Sequence, residues 1–170
     1  MAESYDVQTY LLDRANIRDT VVRAMHLFDA GATAETIQSV YTSEIHLDYD
    51  QRLGFTPEVI SSESWAQRLD QIHKPYDETQ HIIQNLLVAL PQPTGKHPVT
   101  RPDRCEAIAY AHGWFYNLDT DNRPRLMARR QGGKHCLELL RLKDLEENGE
   151  NPWRIHKQEV RLSWQDMGTH

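Results

Sequence analysis

The chain has 170 residues, 39% of them hydrophobic, with a formal net charge of −6 and an isoelectric point near 5.8. That length suits a single domain, 1–170 with a core at about 10–165, large enough to close a core and still leave a pocket. The acidic balance offers no basic footprint for a nucleic acid, and there is no apolar run of roughly 18 residues to span a membrane. Two cysteines, Cys105 and Cys136, cannot build a disulfide framework or a four-cysteine zinc site. The polar, acidic start is unlike a secretory signal, so a reduced, cytoplasmic protein is expected. Nine histidines are the one compositional oddity.

Residues 12–30 carry helical periodicity, with Ile17, Val21, Ala24 and Phe28 on one stripe. Asp13 is placed to cap that helix and Gly31 to end it. Asp29 falls in the last turn, where the helix dipole disfavours a carboxylate, so it is either solvated or held there for work. A short helix follows over 34–41. Then Glu44–Asp50 alternates as a strand, with Ile45, Leu47 and Tyr49 on one side and His46, Asp48 and Asp50 on the other. Those three polar residues spread over about 13 Å along the strand, too far to converge on one ion, and read as a solvated face. Thr56-Pro57 predicts a helical turn. Ser62 caps a further helix with Trp65, Leu69 and Ile72 on its apolar face, ended by Lys74-Pro75.

The stretch 79–90 reads as a buried strand on which His81, Ile83 and Asn85 share a side. An imidazole fixed on a strand within an apolar wall is suited to moving a proton near neutral pH, although a core histidine donating to a carbonyl would look the same. Residues 91–103 hold four prolines and a glycine and form a surface excursion. Cys105–Asn117 is a long strand. One of its faces is Ala107, Ala109, Ala111, Gly113 and Phe115, and the other is Ile108, Tyr110, His112, Trp114 and Tyr116. Residues 119–122 form a turn, 126–130 a short strand with Arg129-Arg130 as surface charge, and Gly132-Gly133 a break or bulge. Residues 134–142 are extended, 144–152 an acidic loop, and 153–164 the last strand. Helices in front of long strands argue an α+β fold, with helices on one face of a mostly antiparallel sheet.

Asp13-Arg-x-x-Ile17, Asp29-Ala-Gly31, Asp48-Tyr49, Thr79-Gln-His81 with Asn85, Gly133-x-His135 through Arg141, and Trp153-Arg-Ile155 occur in that order. This ordered set resembles the SnoaL-like family of the nuclear-transport-factor-like superfamily, and within it scytalone dehydratase. The resemblance implies a cone-shaped α+β barrel, a strongly curved sheet closed by the N-terminal helices around a pocket. It also implies cofactor-independent acid–base chemistry on a hydrophobic, enolisable aromatic or polyketide-like intermediate. Dehydration, isomerisation and cyclisation are the reactions concerned. The alternative it leaves is a non-catalytic ligand-binding or assembly module on the same fold.

By that resemblance His81 is a catalytic base, Asp29 the acid that orients it, and Tyr49 a phenol facing the substrate oxygen. Phe28 stands where the dehydratase has a tyrosine. The dehydratase's second histidine falls near Asn117, where there is none; His112 lies five positions earlier, on the opposite face of an unbroken strand. Tyr110, Tyr116, Asn85, His135, Glu138 and Asn117 are the substrate-binding candidates. Glu138, among leucines, is either a pocket acid or an outward residue. His156 and Gln158 share a face that the resemblance turns inward, where they either line the pocket floor or pair with neighbours at the rim. No metal or cofactor is expected; the expected partners are a small-molecule substrate and further copies of the chain, as a dimer or trimer.

Overall fold

The computed structural model describes residues 5–95, 97–118, 121 and 124–168, so the predicted turn at 119–122 lies outside it apart from Asp121. The first helix, α1 (Val7–Ala30), starts earlier than expected. Asp6 caps it, its side chain accepting from the Thr9 N–H at 2.7 Å. Asp13 is therefore no cap but a helix-interior residue, fully buried. Its carboxylate accepts from Arg101 Nη2 (2.7 Å), Arg101 Nε (3.0 Å) and Trp153 Nε1 (2.9 Å). Arg101 also meets Glu146, which Arg141 holds in turn. This buried network pins the proline-rich excursion against α1, and its charges are tolerable in the interior because they are paired. Ile17, Val21, Ala24 and Phe28 form the expected buried stripe.

After the short α2 (Ala34–Gln38) come β1 (Tyr41–Tyr49) and β2 (Glu58–Ser61). The helical turn predicted at 56–57 is absent. A 3-10 turn at Gln51–Leu53 takes the bend instead, capped by Asp50 and closed by Gly54 at φ 81°. Next is α3 (Ser62–His73), capped by Ser61 rather than Ser62. Then follow β3 (Glu78–Ala89), β4 (Arg104–Leu118), β5 (Pro124–Arg141), the short α4 (Lys143–Glu147) and β6 (Trp153–Met167). The six strands form one curved, unclosed sheet in the order β2-β1-β6-β5-β4-β3. Only β1 and β6 pair in parallel; the remaining neighbours are antiparallel. Helix α1 packs across β3 and β6, and α3 covers β1 and β2, so the concave side of the sheet faces the helices.

Two local features decide which side chains reach that concave side. In β3 the backbone of Asn85 is left-handed (φ 52°), a conformation asparagine tolerates better than most residues. Asn85 and Leu86 together oppose one residue of β4, and the bulge reverses the alternation. His81 and Ile83 point inward, then Leu86 and Val88, while Asn85 is exposed. In β4 the inward residues are Cys105, Ala107, Ala109, Ala111, Gly113 and Phe115, mostly small because the inside of a tight curve is crowded. Ile108, Tyr110, His112, Trp114 and Tyr116 face outward. Strand β5 is continuous where a break was possible, and Gly132-Gly133 marks a bulge against β6. A Cβ on Gly132 would come within 2.6 Å of the Trp164 indole nitrogen, so glycine there lets the ring lie on the strand.

Candidate active site

Asp29 ends α1 directly above β3, and the strand supplies it with three donors. The His81 backbone N–H reaches Oδ2 at 2.8 Å, the His81 ring Nδ1 reaches Oδ1 at 2.7 Å, and the Thr79 hydroxyl reaches Oδ1 at 3.1 Å. This is the work that holds a carboxylate at the unfavourable end of a helix. Burial alone would raise the Asp29 carboxyl, but hydrogen bonds from the His81 ring and backbone, the charge of His81 and the Thr79 hydroxyl together hold it below its ordinary value. An ionised carboxylate accepts only, so Nδ1 carries its proton toward Asp29 and leaves Nε2 as the basic nitrogen. Nε2 lies over Gly113 of β4, where a Cβ would come within 2.8 Å of it.

His81 opens onto a cavity of about 90 Å³ under α3. Its walls are aromatic: Phe28 lies 5.2 Å from the His81 ring and Phe115 5.4 Å, centroid to centroid, with Trp65, Tyr49 and Phe55 beyond. The cavity is narrower than the few hundred Å³ usual for ligand sites, and suits a single small ring. Leu53 and Phe55, on the segment between β1 and β2, close one side.

Polar groups enter this lining at four further points. The Tyr49 hydroxyl is buried with no hydrogen-bond partner among the described residues, and burial, with Tyr41 nearby, drives its ionisation well above the usual phenol range. Arg129 places its guanidinium 5.0 Å above the Phe115 ring and donates from Nε to Gln131 at 3.0 Å. Gln131 itself lines the wall beside it, and His73, from the last turn of α3, completes it. Among the described residues no three His, Cys, Asp or Glu side chains converge to hold a metal. Asp48 and Asp50 of the His-x-Asp-x-Asp set are bound to Arg161 and Arg52 instead.

Of the sequence-predicted site residues, the structure brings together Asp29, His81 and Tyr49. His135 also points inward, but it sits deeper, where Gln158 Nε2 approaches its Nδ1 at 3.4 Å and Tyr41 donates to Gln158 at 2.7 Å. Burial, and then the charge of His81, lower the His135 imidazole to about 4. The other candidates lie elsewhere. Tyr110 is 47% exposed on the outer face, with Tyr116 on that same side of β4. Asn85 is turned out by its bulge, and Asn117 is exposed near the strand's end. Glu138 faces outward, paired with Arg104 at 2.9 Å, on the rim of a separate hollow of about 200 Å³ that also holds Glu106 and Lys157. Gln158 is buried as expected, whereas a bulge at His156 turns that ring outward against His46.

Four contributors were not foreseen. Trp65, Leu69 and His73 are spaced i, i+4, i+8, so the apolar stripe of α3 already pointed to His73. Arg129 and Gln131 share alternation with His135 and Leu137, a signal lost when Gly132-Gly133 is read as a break. Gly113 sits among inward alanines, and only the position of the His81 ring reveals why it is smaller still.

A model of the SnoaL-like domain matches residues 9–159. The chain belongs to the SnoaL-like family. Among solved structures, this SnoaL-like chain is similar to the Kfla4162 protein of Kribbella flavida, at 18% identity and a TM-score of 0.72, covering 95% of each chain. A protein from Novosphingobium aromaticivorans, provisionally named a scytalone dehydratase, follows at 12% identity and a TM-score of 0.68, covering 97% of this chain and 93% of the other. The hexachlorocyclohexane dehydrochlorinase LinA-type3 of Novosphingobium barchaimii shares 14% identity at a TM-score of 0.64, covering 93% of this chain and 91% of that one. At these identities the likeness establishes the fold alone. No curated protein matches the sequence significantly. No helix among the described residues is long and apolar enough to cross a membrane.

Proposed function

We propose that this SnoaL-like protein is a cofactor-independent lyase or isomerase in which His81, held by Asp29, removes a proton from carbon next to a carbonyl or hydroxyl. The observation that carries the reading is the Asp29–His81 pair on the wall of a cavity lined by aromatic rings. In such a water-poor site a neutral imidazole with a fixed tautomer is a competent base. Asp29 stabilises the imidazolium formed when it accepts the proton. The charge left on the substrate oxygen needs donors, and the unpartnered Tyr49 hydroxyl and the Arg129 guanidinium are available. Those groups favour an oxygen-bearing substrate over a hydrocarbon or halocarbon. The dehydratase name and the dehydrochlorinase name among the structural relatives both denote eliminations, a reaction type in which a proton is removed from carbon. The substrate class that fits is a small, flat, enolisable aromatic or polyketide-like molecule.

The test is deuterium exchange. Single-ring enolisable ketones such as phenylacetone, incubated with the protein in D2O, should exchange the carbon-bound protons next to the carbonyl faster than in buffer. His81→Ala should abolish the enzymatic exchange while the protein stays folded by circular dichroism. Exchange that persists in His81→Ala would refute the assignment of the base. Tight ligand binding by wild type with no exchange of any ligand would favour the non-catalytic binding module.

A further inference from the structure

We propose that His73 is a second ligand-contacting imidazole, holding the substrate oxygen while His81 works on the neighbouring carbon. The inference rests on the reading of the Asp29–His81 cavity as a ligand site. It begins with position. His73 ends α3 and is, among the described residues, the one histidine besides His81 in the cavity lining. Its ring centroid lies 6.0 Å from that of His81, edge to face, and 6.3 Å from that of Phe115, nearly stacked. Two imidazoles at that separation can each reach a different atom of one small substrate, His73 the oxygen by a hydrogen bond and His81 the neighbouring carbon. His73 also lines an open groove with Asp70 and Lys74, so this residue stands as a partition between the cavity and that groove.

Chemistry separates His73 from its neighbours. The Arg129 guanidinium offers donors only, and the Tyr49 phenol is held protonated. Neutral imidazole offers one donor and one acceptor, so it can take a carbonyl, a hydroxyl or a phenol oxygen. The charged groups around His73 are Asp29 from α1, Asp70 on α3 itself, Lys74 at the end of α3, His81 from β3 and Arg129 from β5. Burial, then the charge of His81, lower the His73 imidazole to about 4, against a smaller upward pull from Asp29 and Asp70. It is thus neutral at pH 7 and can stay neutral when His81 becomes cationic, avoiding two adjacent positive rings. With a carbonyl substrate the C–H proton goes to His81 Nε2, the C–H pair becomes the C=C bond of the enolate, and the C=O π pair moves onto the oxygen. His73 gains or loses no proton; its hydrogen bond to that oxygen strengthens.

The experiment uses the full chain and 4-nitrophenol, a single ring whose oxygen has distinct absorbance when ionised. Binding is followed by that absorbance and by the imidazole signals in two-dimensional NMR. Wild type should bind at pH 7 with shifts at both His73 and His81. His73→Phe, which keeps the partition closed, should weaken binding roughly tenfold and leave the His81 signals of the free protein in place. His73→Asn, which restores a donor and an acceptor, should recover part of the affinity. If the probe shifts His81 in wild type but binds His73→Phe equally well, the role of His73 is overturned and the cavity stands. Should wild type show no shift at His81, the cavity reading fails, and this inference with it.

Discussion

Replacing Gly113 by alanine adds one methyl group at the most constrained point of the site. The new Cβ would lie 2.8 Å from His81 Nε2, 2.9 Å from Cδ2 and 3.2 Å from the Phe115 ring. Carbon does not approach that closely, so either the imidazole or the strand must yield. The imidazole is tied to Asp29 through Nδ1 at 2.7 Å, and displacement sacrifices a hydrogen bond to a charged group, worth about 1.5–3 kcal/mol. Moving the strand instead is an overpacking cost of typically 1–3 kcal/mol. Gly113→Ala should therefore lose about 1–3 kcal/mol of stability in urea unfolding. It should also lose about 100-fold in the deuterium-exchange rate, the scale of effect that follows a misplacement of about 1 Å. Exchange at the wild-type rate, with unchanged His81 imidazole signals, would refute the close approach of Nε2 to this strand and with it the geometry of the site.

Asp29→Asn should cut exchange by about 10²–10⁴-fold, because the amide neither fixes the tautomer nor stabilises the imidazolium. The Asp29 carboxyl is lowered in the folded protein. Its contribution to stability is therefore complete above the ordinary carboxylate value near 4 and lost as the pH falls through the lowered one. The stability difference between wild type and Asp29→Asn, measured by urea unfolding, should accordingly shrink as the pH drops below about 4. Tyr49→Phe removes a buried hydroxyl that has no hydrogen-bond partner among the described residues. It should leave the melting temperature unchanged or raise it while slowing exchange; a clear loss of stability would show that the hydroxyl is satisfied within the protein. Asp13→Ala deprives Arg101 of two hydrogen bonds and the Trp153 N–H of its acceptor. It should cost about 3–5 kcal/mol in chemical denaturation, with Asp13→Asn in between.

Alternation and helical spacing along the chain determined the framework. The stripe Ile17–Phe28, the two alternating faces of β4 and the order of helices before strands each follow from local periodicity, because burying one face of an element requires that pattern wherever the element lies; which face of β4 turns inward does not. The residues that meet at the cavity were legible only where the family pattern names them, as with Asp29, Tyr49 and His81. Tertiary structure decided the rest. A left-handed Asn85 and an irregularity at His156 each shift the register by one residue, which exchanges inside for outside for the side chains concerned. Asp13 is a cap by sequence and a buried anchor in space, since only folding brings Arg101 and Trp153 to it. The proximity of His73 to His81 and the bare backbone of Gly113 beneath that ring come from the curvature of the sheet under α3. Curvature is the sum of many small twists along several strands, so no single stretch of sequence encodes it.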